Sequence, residues 1–383
     1  MPTPSTPFES KLRLFLRFLR FGLLAWGGPV AQIAMVRQEL VEEECWISRE
    51  RFNRVLAVYQ ALPGPEAHEL CVYFGMMAGG RIGAVLAGLG FMLPGFVLMF
   101  ALSWFYIAYG IASPWFSCVF YGFQAAIAAL ILRAVHRIGG HALSNVRLWG
   151  IAILSAVGQW MGVHFLIVLF LAGAGYMLSE KRGEKTLSHM GLWLPLLAVP
   201  QTAGLAVPTV LALFGYGLQT GLLTFGGAYT AIPLLQHYAV VTGGWMTDRQ
   251  FLDGLALSSI LPAPLIIFST FVGYLGGGPI GAVVLTVGVF LPAFGFTLVG
   301  HRFFEELIEN KTAHAFLDGI TAGVVGLIAI AAVGLFRTAV ADIPAFVIFL
   351  LALLALYRWK AKASIAGVML MAGVLGLLTS RFS

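Results

Sequence analysis

The chain has 383 residues, of which 59% are hydrophobic and only 10% are charged, with a formal net charge of +6. A soluble chain of this length carries about a quarter charged residues, so this one cannot cover its surface with polar groups, and its outer solvent must be lipid. The apolar runs are too long for barrel strands and do not alternate with period two. A soluble class is therefore excluded, and basic cytoplasmic loops explain the positive charge better than nucleic-acid binding does.

Hydropathy divides the chain into helices of about the 20 residues that cross a bilayer. It predicts an all-α integral membrane protein with about thirteen spans, and ten to thirteen as the range. The segments are 12–35, 51–76, 82–109, 115–135, 148–160, 163–178, 191–208, 209–234, 250–275, 280–300, 314–336, 343–357 and 365–378. With the basic N-terminus inside, nearly all Lys and Arg clusters fall in cytoplasmic loops. If segment 51–76 dips in and returns instead, the count and the sidedness change.

The sequence repeats itself at a shift of 199 residues. Segments 22–28, 46–52 and 62–65 match 221–227, 245–251 and 261–264, and after one deletion 82–85 and 93–96 match 280–283 and 291–294. Shared Gly and Pro at fixed spacing indicate a duplication. The first spans of the halves are seven apart, an odd number, so the halves are predicted to form an inverted repeat. The predicted units are an N-terminal repeat over 1–180, a connecting segment over 181–208 and a C-terminal repeat over 209–383.

Each half contains a helix that proline interrupts. The helix starts at a capping signal, Ser48 in the first half and Thr247 in the second. It is broken at Pro63-Gly64-Pro65 and at Pro262-Ala263-Pro264, since proline removes a donor and clashes with the preceding turn. The piece after each break begins with unpaired amides at the positive end of a helix dipole, which is an anion-binding element. Duplicated breaks are typical of a transporter's central site, whereas a single break is as readily a relieved kink.

Small residue pairs stand near the end of the first span in each half. They are Gly27-Gly28 and Gly226-Gly227. Close helix packing explains such pairs, and the functional alternative is a second backbone break that faces the proline break. We include these glycines among the candidate substrate-binding residues.

The two proline breaks differ in chemistry. Glu66, His68 and Glu69 follow Pro65, whereas apolar residues occupy the aligned positions after Pro264. Ionisable residues within spans indicate function, so these three are candidates for coupling transport to a proton or counter-ion. Glu66 would also fit a simple role as a cap of the helix dipole. Gln60, before the break, is a further candidate for the binding pocket.

Other polar residues have ordinary explanations. Arg81 and Arg133 lie at predicted span ends, where their side chains reach the headgroups. The three cysteines show no metal-ligand spacing, and the sequence contains no nucleophile elbow, P-loop or metalloprotease motif. We therefore expect no enzyme activity, no metal site and no cofactor.

At these motifs the sequence resembles the chromate transporter family in its long, two-domain form. The resemblance is carried by the segments 26–29, 60–67, 91–95, 224–229, 244–251 and 261–264 and covers about 18–358. It implies a secondary transporter of the bacterial inner membrane that exports chromate and confers chromate resistance. Sulfate or another small anion, and a channel in place of a carrier, are the alternatives.

The resemblance also implies the partners: a small inorganic oxyanion and the lipid bilayer, and no nucleic acid. The oligomeric state is left open, a homodimer included. The second half departs from the first because Ala263 stands where Gly64 does and no proline follows Gly227. A less open second turn makes the Gly64 turn the preferred side for binding.

Overall fold

The computed structural model describes residues 9–110, 114–180, 209–225, 227–309, 311–359 and 364–379. The helices within these ranges are α1 (Lys11–Leu23), α2 (Gly28–Arg37), α3 (Arg49–Ala61), α4 (Glu66–Phe105), α5 (Pro114–Ala142), α6 (Val146–Trp160), α7 (Phe165–Glu180), α8 (Val210–Leu222), α9 (Ala231–Gln236), α10 (Asp248–Ile260), α11 (Phe268–Glu309), α12 (Lys311–Ala339), α13 (Ile343–Arg358) and α14 (Ser364–Thr379). Every regular element of the described residues is helical. The predicted span 191–208 and Gly226 lie outside them.

The capping signals in the sequence start the helices that they predict. The Ser48 hydroxyl accepts a hydrogen bond from the Arg51 amide at 3.2 Å at the start of α3. Thr247 and Gln250 form the reciprocal pair of a capping box at the start of α10, with bonds of 2.9 and 3.2 Å. Side-chain capping satisfies amides that the first helical turn leaves unpaired, so both starts are fixed locally.

The predicted span 12–35 is two helices that fold back on each other. α1 ends at Leu23 and α2 begins at Gly28. Arg17 in α1 forms an ion pair with Glu44, beyond the end of α2, at 2.5 Å. Near the turn, the Gln32 side chain donates a hydrogen bond to the Ala25 carbonyl at 2.9 Å. The two helices are therefore antiparallel, and this segment is a hairpin rather than a continuous span.

The matching segment 209–234 of the second half folds the same way. α8 leads to a turn and α9 returns, continued by a π-helical segment, His237–Thr242. The ring of Tyr216 in α8 stacks on that of Tyr238 with centroids 4.4 Å apart. The prediction of a single span is corrected here as well.

The proline breaks also reverse the chain. α3 ends at Ala61 and α4 begins at Glu66, so the predicted break is present. Phe52 and Phe74 lie 22 positions apart, about 33 Å along a continuous helix, yet their ring centroids are 6.4 Å apart. Segment 51–76 therefore enters and returns, which is the alternative left open above.

The second proline break is built alike. Phe251 of α10 packs against Phe268 of α11 with centroids 4.8 Å apart. Closer to the turn, the Ser258 hydroxyl donates to the Leu265 carbonyl at 3.0 Å. Segment 250–275 is thus also a helical hairpin and not one span.

A second reversal lies inside α4 and inside α11. Gly80 has φ 61° and ψ −154°, and Gly278 has φ 60°, in the left-handed region that favours glycine. Across the turn in α11, the hydroxyls of Thr270 and Thr286, which precede and follow Gly278, hydrogen-bond at 2.8 Å. Each long helix is thus a short limb, which closes the proline hairpin, and a long limb, which starts at the glycine turn.

Within the described residues, four helices are long and apolar enough to cross a membrane: α4, α5, α11 and α12. The shorter helices pack on them across the repeat boundary. α6 and α7 lie on α12, where Gly326 approaches the Ala152 carbonyl, and α13 and α14 lie on α5, where Gly122 approaches the Ala372 carbonyl. Glycine at these contacts lets helix backbones approach closely, so each repeat is held by the terminal helices of the other.

Candidate functional site

Four hairpin turns form the candidate site. We name them the Gly27 tip (residues 24–27), the Gly64 tip (62–65), the Gly227 tip (223–225 and 227) and the Ala263 tip (261–264). The Gly64 amide donates a hydrogen bond to the Thr224 carbonyl at 2.8 Å, which joins the Gly64 and Gly227 tips. The Gly27 tip shares a cavity with the Ala263 tip. Each tip of one half therefore meets a tip of the other half, and the glycine-pair turns do face proline turns.

The first cavity, the Tyr229 cavity, is a small, partly open space of about 20 Å³ between the Gly27 and Ala263 tips. Its lining comprises Trp26, Gly27, Gly28, Leu130, Tyr229, Ser258, Ser259, Leu261, Ala263, Leu265, Ile365 and Ala366. α2 begins here at Gly28 and has no side-chain cap. Its first amides and the nearby hydroxyls are the polar groups available to a ligand.

The hydroxyls of this cavity differ in their hydrogen bonds. Ser258 and Ser259 donate to the carbonyls of Leu265 and Leu255 at 3.0 and 2.8 Å, which leaves their oxygens as acceptors. Tyr229 makes no hydrogen bond with any described residue. Its phenolic O–H is therefore a donor that can turn toward an anion.

The second cavity, the Glu66 cavity, is a small, partly open space of about 10 Å³ between the Gly64 and Gly227 tips. Its lining comprises Pro29, Gln32, Pro65, Glu66, Ala67, Gly227, Ala228 and Pro264. α4 begins here without a side-chain cap. The amides of His68 and Glu69 bond to the Pro65 carbonyl, so those of Glu66 and Ala67 are the ones without an intrahelical acceptor. Two uncapped helix starts thus point at two adjacent cavities.

The backbone at the Gly64 tip requires glycine. Gly64 has φ 150°, and a Cβ there would lie 2.6 Å from Oε1 of Glu69. Among the described residues Cys45 alone has a positive φ without being glycine, so Ala263 does not share this conformation. A Cβ on Gly95 would lie 2.5 Å from that of Ala263. The Gly-to-Ala departure between the halves therefore reflects two different turn conformations.

The three predicted coupling residues lie in three environments. Glu66 lines the Glu66 cavity. Glu69 is fully buried against Gly64, and neither of its carboxyl oxygens has a hydrogen-bond partner among the described residues. His68 lies in an aromatic pocket, with the rings of Phe290 and Phe294 both 4.9 Å away. The structure brings Glu66 and Glu69 to the tip and places His68 outside the cavities.

The remaining predicted residues also lie in different environments. Gln60 is exposed, and its side chain hydrogen-bonds to Glu66. Pro63 and Pro262 are buried and do not line either cavity, so they shape the turns rather than touch a ligand.

A buried polar cluster was missed by the sequence analysis. Asp253 of α10 is 7% exposed and accepts hydrogen bonds from Tyr106 and Gln124, both at 2.7 Å. These partners belong to the first half, so the cluster ties the repeats together next to the Ala263 hairpin. A lone carboxylate in an apolar stretch was the available signal. Tyr229 and Ser258 carried no comparable signal.

Comparison with known proteins gives the family. A sequence model of chromate transporters matches residues 12–178 and again residues 211–377. The chain belongs to the chromate transporter family. It has the two-repeat, long form of that family, and four of the six segments that carried the resemblance, 26–29, 60–67, 224–229 and 261–264, include residues of the tips.

Curated relatives extend over nearly the whole chain. A chromate transport protein of Pseudomonas aeruginosa is 54% identical over 97% of this chain and 93% of its own length. A probable chromate transport protein of Synechococcus elongatus is 31% identical over 97% and 96%. A chromate transport protein of Cupriavidus metallidurans is 30% identical over 98% and 94%. No solved structure matches the chain significantly.

Family membership and the apolar helices make this chromate transporter family member a multi-pass membrane protein. Its relatives are named transport proteins, which indicates a transporter rather than an enzyme. The cavities between the tips are therefore the candidate path of a transported solute.

Proposed function

We propose that the chain is a secondary transporter that exports chromate from the bacterial cytoplasm across the inner membrane, with the four tips as its anion site. The observation that carries the proposal is the pair of uncapped helix starts, at Gly28 and Glu66, that open on cavities between the halves. Helix amides bind oxyanions without a permanent countercharge. Such a site would bind a dianion strongly enough for the dianion to enter and weakly enough for it to be released.

The transport mechanism follows from an inverted arrangement of the repeats. The long limb of α4 starts at the end of the first-half hairpins that lies opposite their tips, where Leu14 approaches Gly79 and Gly83. The π-helical segment that follows this limb holds Tyr106, which bonds to Asp253 near the start of α10. The limb is about 37 Å long at 1.5 Å per residue. We place the hairpin openings of the two halves on opposite membrane faces, which is the arrangement of alternating-access carriers.

This arrangement replaces the thirteen full spans of the sequence prediction. In it, the long limbs of α4 and α11 cross the bilayer together with α5 and α12, and the four tip hairpins are re-entrant. Irregular backbone at mid-membrane is tolerated only when protein or a wet cavity surrounds it, which holds for tips that face one another. Arg81, Arg147 and the basic end of α5 share one face, which we assign to the cytoplasm.

Flux in proteoliposomes tests the function. Purified protein should take up chromate with saturable kinetics, and sulfate and molybdate should compete to different extents. Dependence on a proton or counter-ion gradient would favour a carrier over a channel. If the protein inserts normally and transports sulfate but not chromate, the proposed substrate is wrong and the proposed anion site still stands.

A site variant tests the location. Replacing Pro63-Gly64-Pro65 with Ala-Leu-Ala should abolish anion flux in protein that still inserts and remains monodisperse in detergent. Normal flux by this variant would refute the tips as the anion site.

A further inference from the structure

One face of α5 runs from the Tyr229 cavity to the end of the helix. Leu130 lines the cavity. Arg133 and Arg137 follow at i+3 and i+7, so they lie on the same face as Leu130, and Arg137 is about 10 Å further along the axis. We call Leu130, Arg133 and Arg137 the basic face of α5. Arg133 is half-buried and Arg137 is exposed.

The charges of the basic face act on the site. Both arginines are close enough to Tyr229 to interact electrostatically with its hydroxyl, and Arg137 also interacts with Glu66. Neither arginine pairs with a carboxylate among the residues that the structure describes. Reach to the headgroups accounts for an arginine at a helix end, but it does not account for two arginines directed along a cavity-lining face.

The first half also has an exposed, mostly polar helix face on α3. Asn53, Arg54, Ala57 and Gln60 lie on one exposed face of α3, and this face ends at the bond from Gln60 to Glu66. Polar side chains at this depth need water rather than lipid around them. The corresponding face of α10 is closed, because Leu252, Asp253 and Ala256 are buried. We therefore expect water rather than lipid over this face of α3, on the side of the first half.

We propose that the basic face of α5 is the anion approach to the tips, with Arg133 and Arg137 as its two anion-attracting charges. The proposal rests on the proposed function and adds to it a permanent charge that the helix starts lack. A guanidinium fork fits two oxygens of a tetrahedral oxyanion. A cleft lined with one sign of charge raises the local concentration of a dianion.

The test measures KM and maximal rate of chromate uptake into inverted membrane vesicles. Arg133→Gln and Arg137→Gln should each raise KM about fivefold at about 0.1 M salt with a much smaller change in maximal rate, and Arg133→Lys and Arg137→Lys should restore most of the loss. The effect of Arg137→Gln, whose arginine is exposed, should vanish near 1 M salt, where the screening length falls to about 3 Å. Arg81→Gln is the matched control, since Arg81 is an exposed arginine at the α4 turn and lines neither cavity.

The outcomes separate the two proposals. If wild-type vesicles take up chromate and both α5 variants keep the wild-type KM at low salt, the approach is refuted and the proposed function stands. If Arg81→Gln raises KM as much as Arg133→Gln, general surface charge explains the effect and the approach is again refuted. If wild-type vesicles move no oxyanion, the proposed function fails and the approach fails with it.

Discussion

Gly64 and Thr224 are 160 positions apart, yet the amide of the first bonds to the carbonyl of the second at 2.8 Å. The two residues lie in different repeats, and each is in a turn between antiparallel helices. A buried backbone group without a partner costs about as much as a lost hydrogen bond. This bond therefore gives a backbone polar group of each turn a partner in the other turn. It also fixes the distance between the two halves at this point.

Gly64→Ala should reduce chromate flux at least about tenfold, because φ 150° strains a residue with a Cβ and the added methyl would press on the Glu69 carboxyl. Gly140→Ala is the control, since a Cβ on Gly140 meets nothing within 4 Å. Flux per inserted molecule in proteoliposomes is the measurement. Equal flux from the two variants would show that the turn tolerates a side chain and does not set the site.

Glu66→Gln should flatten the dependence of flux on pH if Glu66 carries the coupling proton. The substitution keeps the side chain's size and its contact with Gln60 while removing titration. Uptake is measured across a pH series with and without a proton gradient. Glu43→Gln provides the comparison, because Glu43 is exposed and bonds only to Gln38 in the structure. A Glu66→Gln profile that follows wild type across the series ends the coupling role.

Asp253→Ala should lower the free energy of unfolding by about 2 kcal/mol, since it leaves the buried Tyr106 and the half-buried Gln124 without their acceptor. Thermal unfolding in detergent reports the loss as a lower Tm. Asp318→Ala should change little, because Asp318 is half-exposed and its ion pair among the described residues is with the exposed His314.

A double variant checks the interpretation of the Asp253 cluster. Tyr106→Phe combined with Asp253→Ala should cost less than the sum of the single changes, because the second change removes a group that the first has already orphaned. Strict additivity would mean that the two residues do not share an interaction.

Gly122→Leu should prevent normal accumulation in the membrane, because a side chain there would collide with the Ala372 carbonyl of α14. Gly150→Leu on α6 should be tolerated, since a Cβ on Gly150 meets nothing within 4 Å. Fluorescence-detected size exclusion of both variants gives the comparison. A well-folded Gly122→Leu protein would contradict the close contact between α5 and α14.

Structural features that depend only on residues close together in the sequence were predictable from it. The capping pair Thr247 and Gln250 and the break at Gly64 are local, so residue type and spacing were sufficient to find them. The duplication was visible for the same reason, as a direct comparison of segments.

Other features depend on contacts that no local pattern carries. Hydropathy measures the length of an apolar segment but not its direction, so 12–35 and 51–76 were predicted as spans although each folds back. Arg133 was assigned to the headgroups because its place beyond Leu130 on a cavity-lining face follows only from the packing of α5. Asp253 was overlooked because its partners come from the other half of the chain.

On the proposed function, the crossed meeting of the tips makes each repeat incomplete as a carrier. The first repeat supplies one partner to each cavity and the second repeat supplies the other, while α6–α7 and α13–α14 brace the opposite repeat. A polypeptide with one copy of this unit would have to recruit a second polypeptide before it could translocate anything. Gene fusion would then bring a lasting gain, because the joined copies are free to diverge, one keeping its acidic turn and the other becoming apolar.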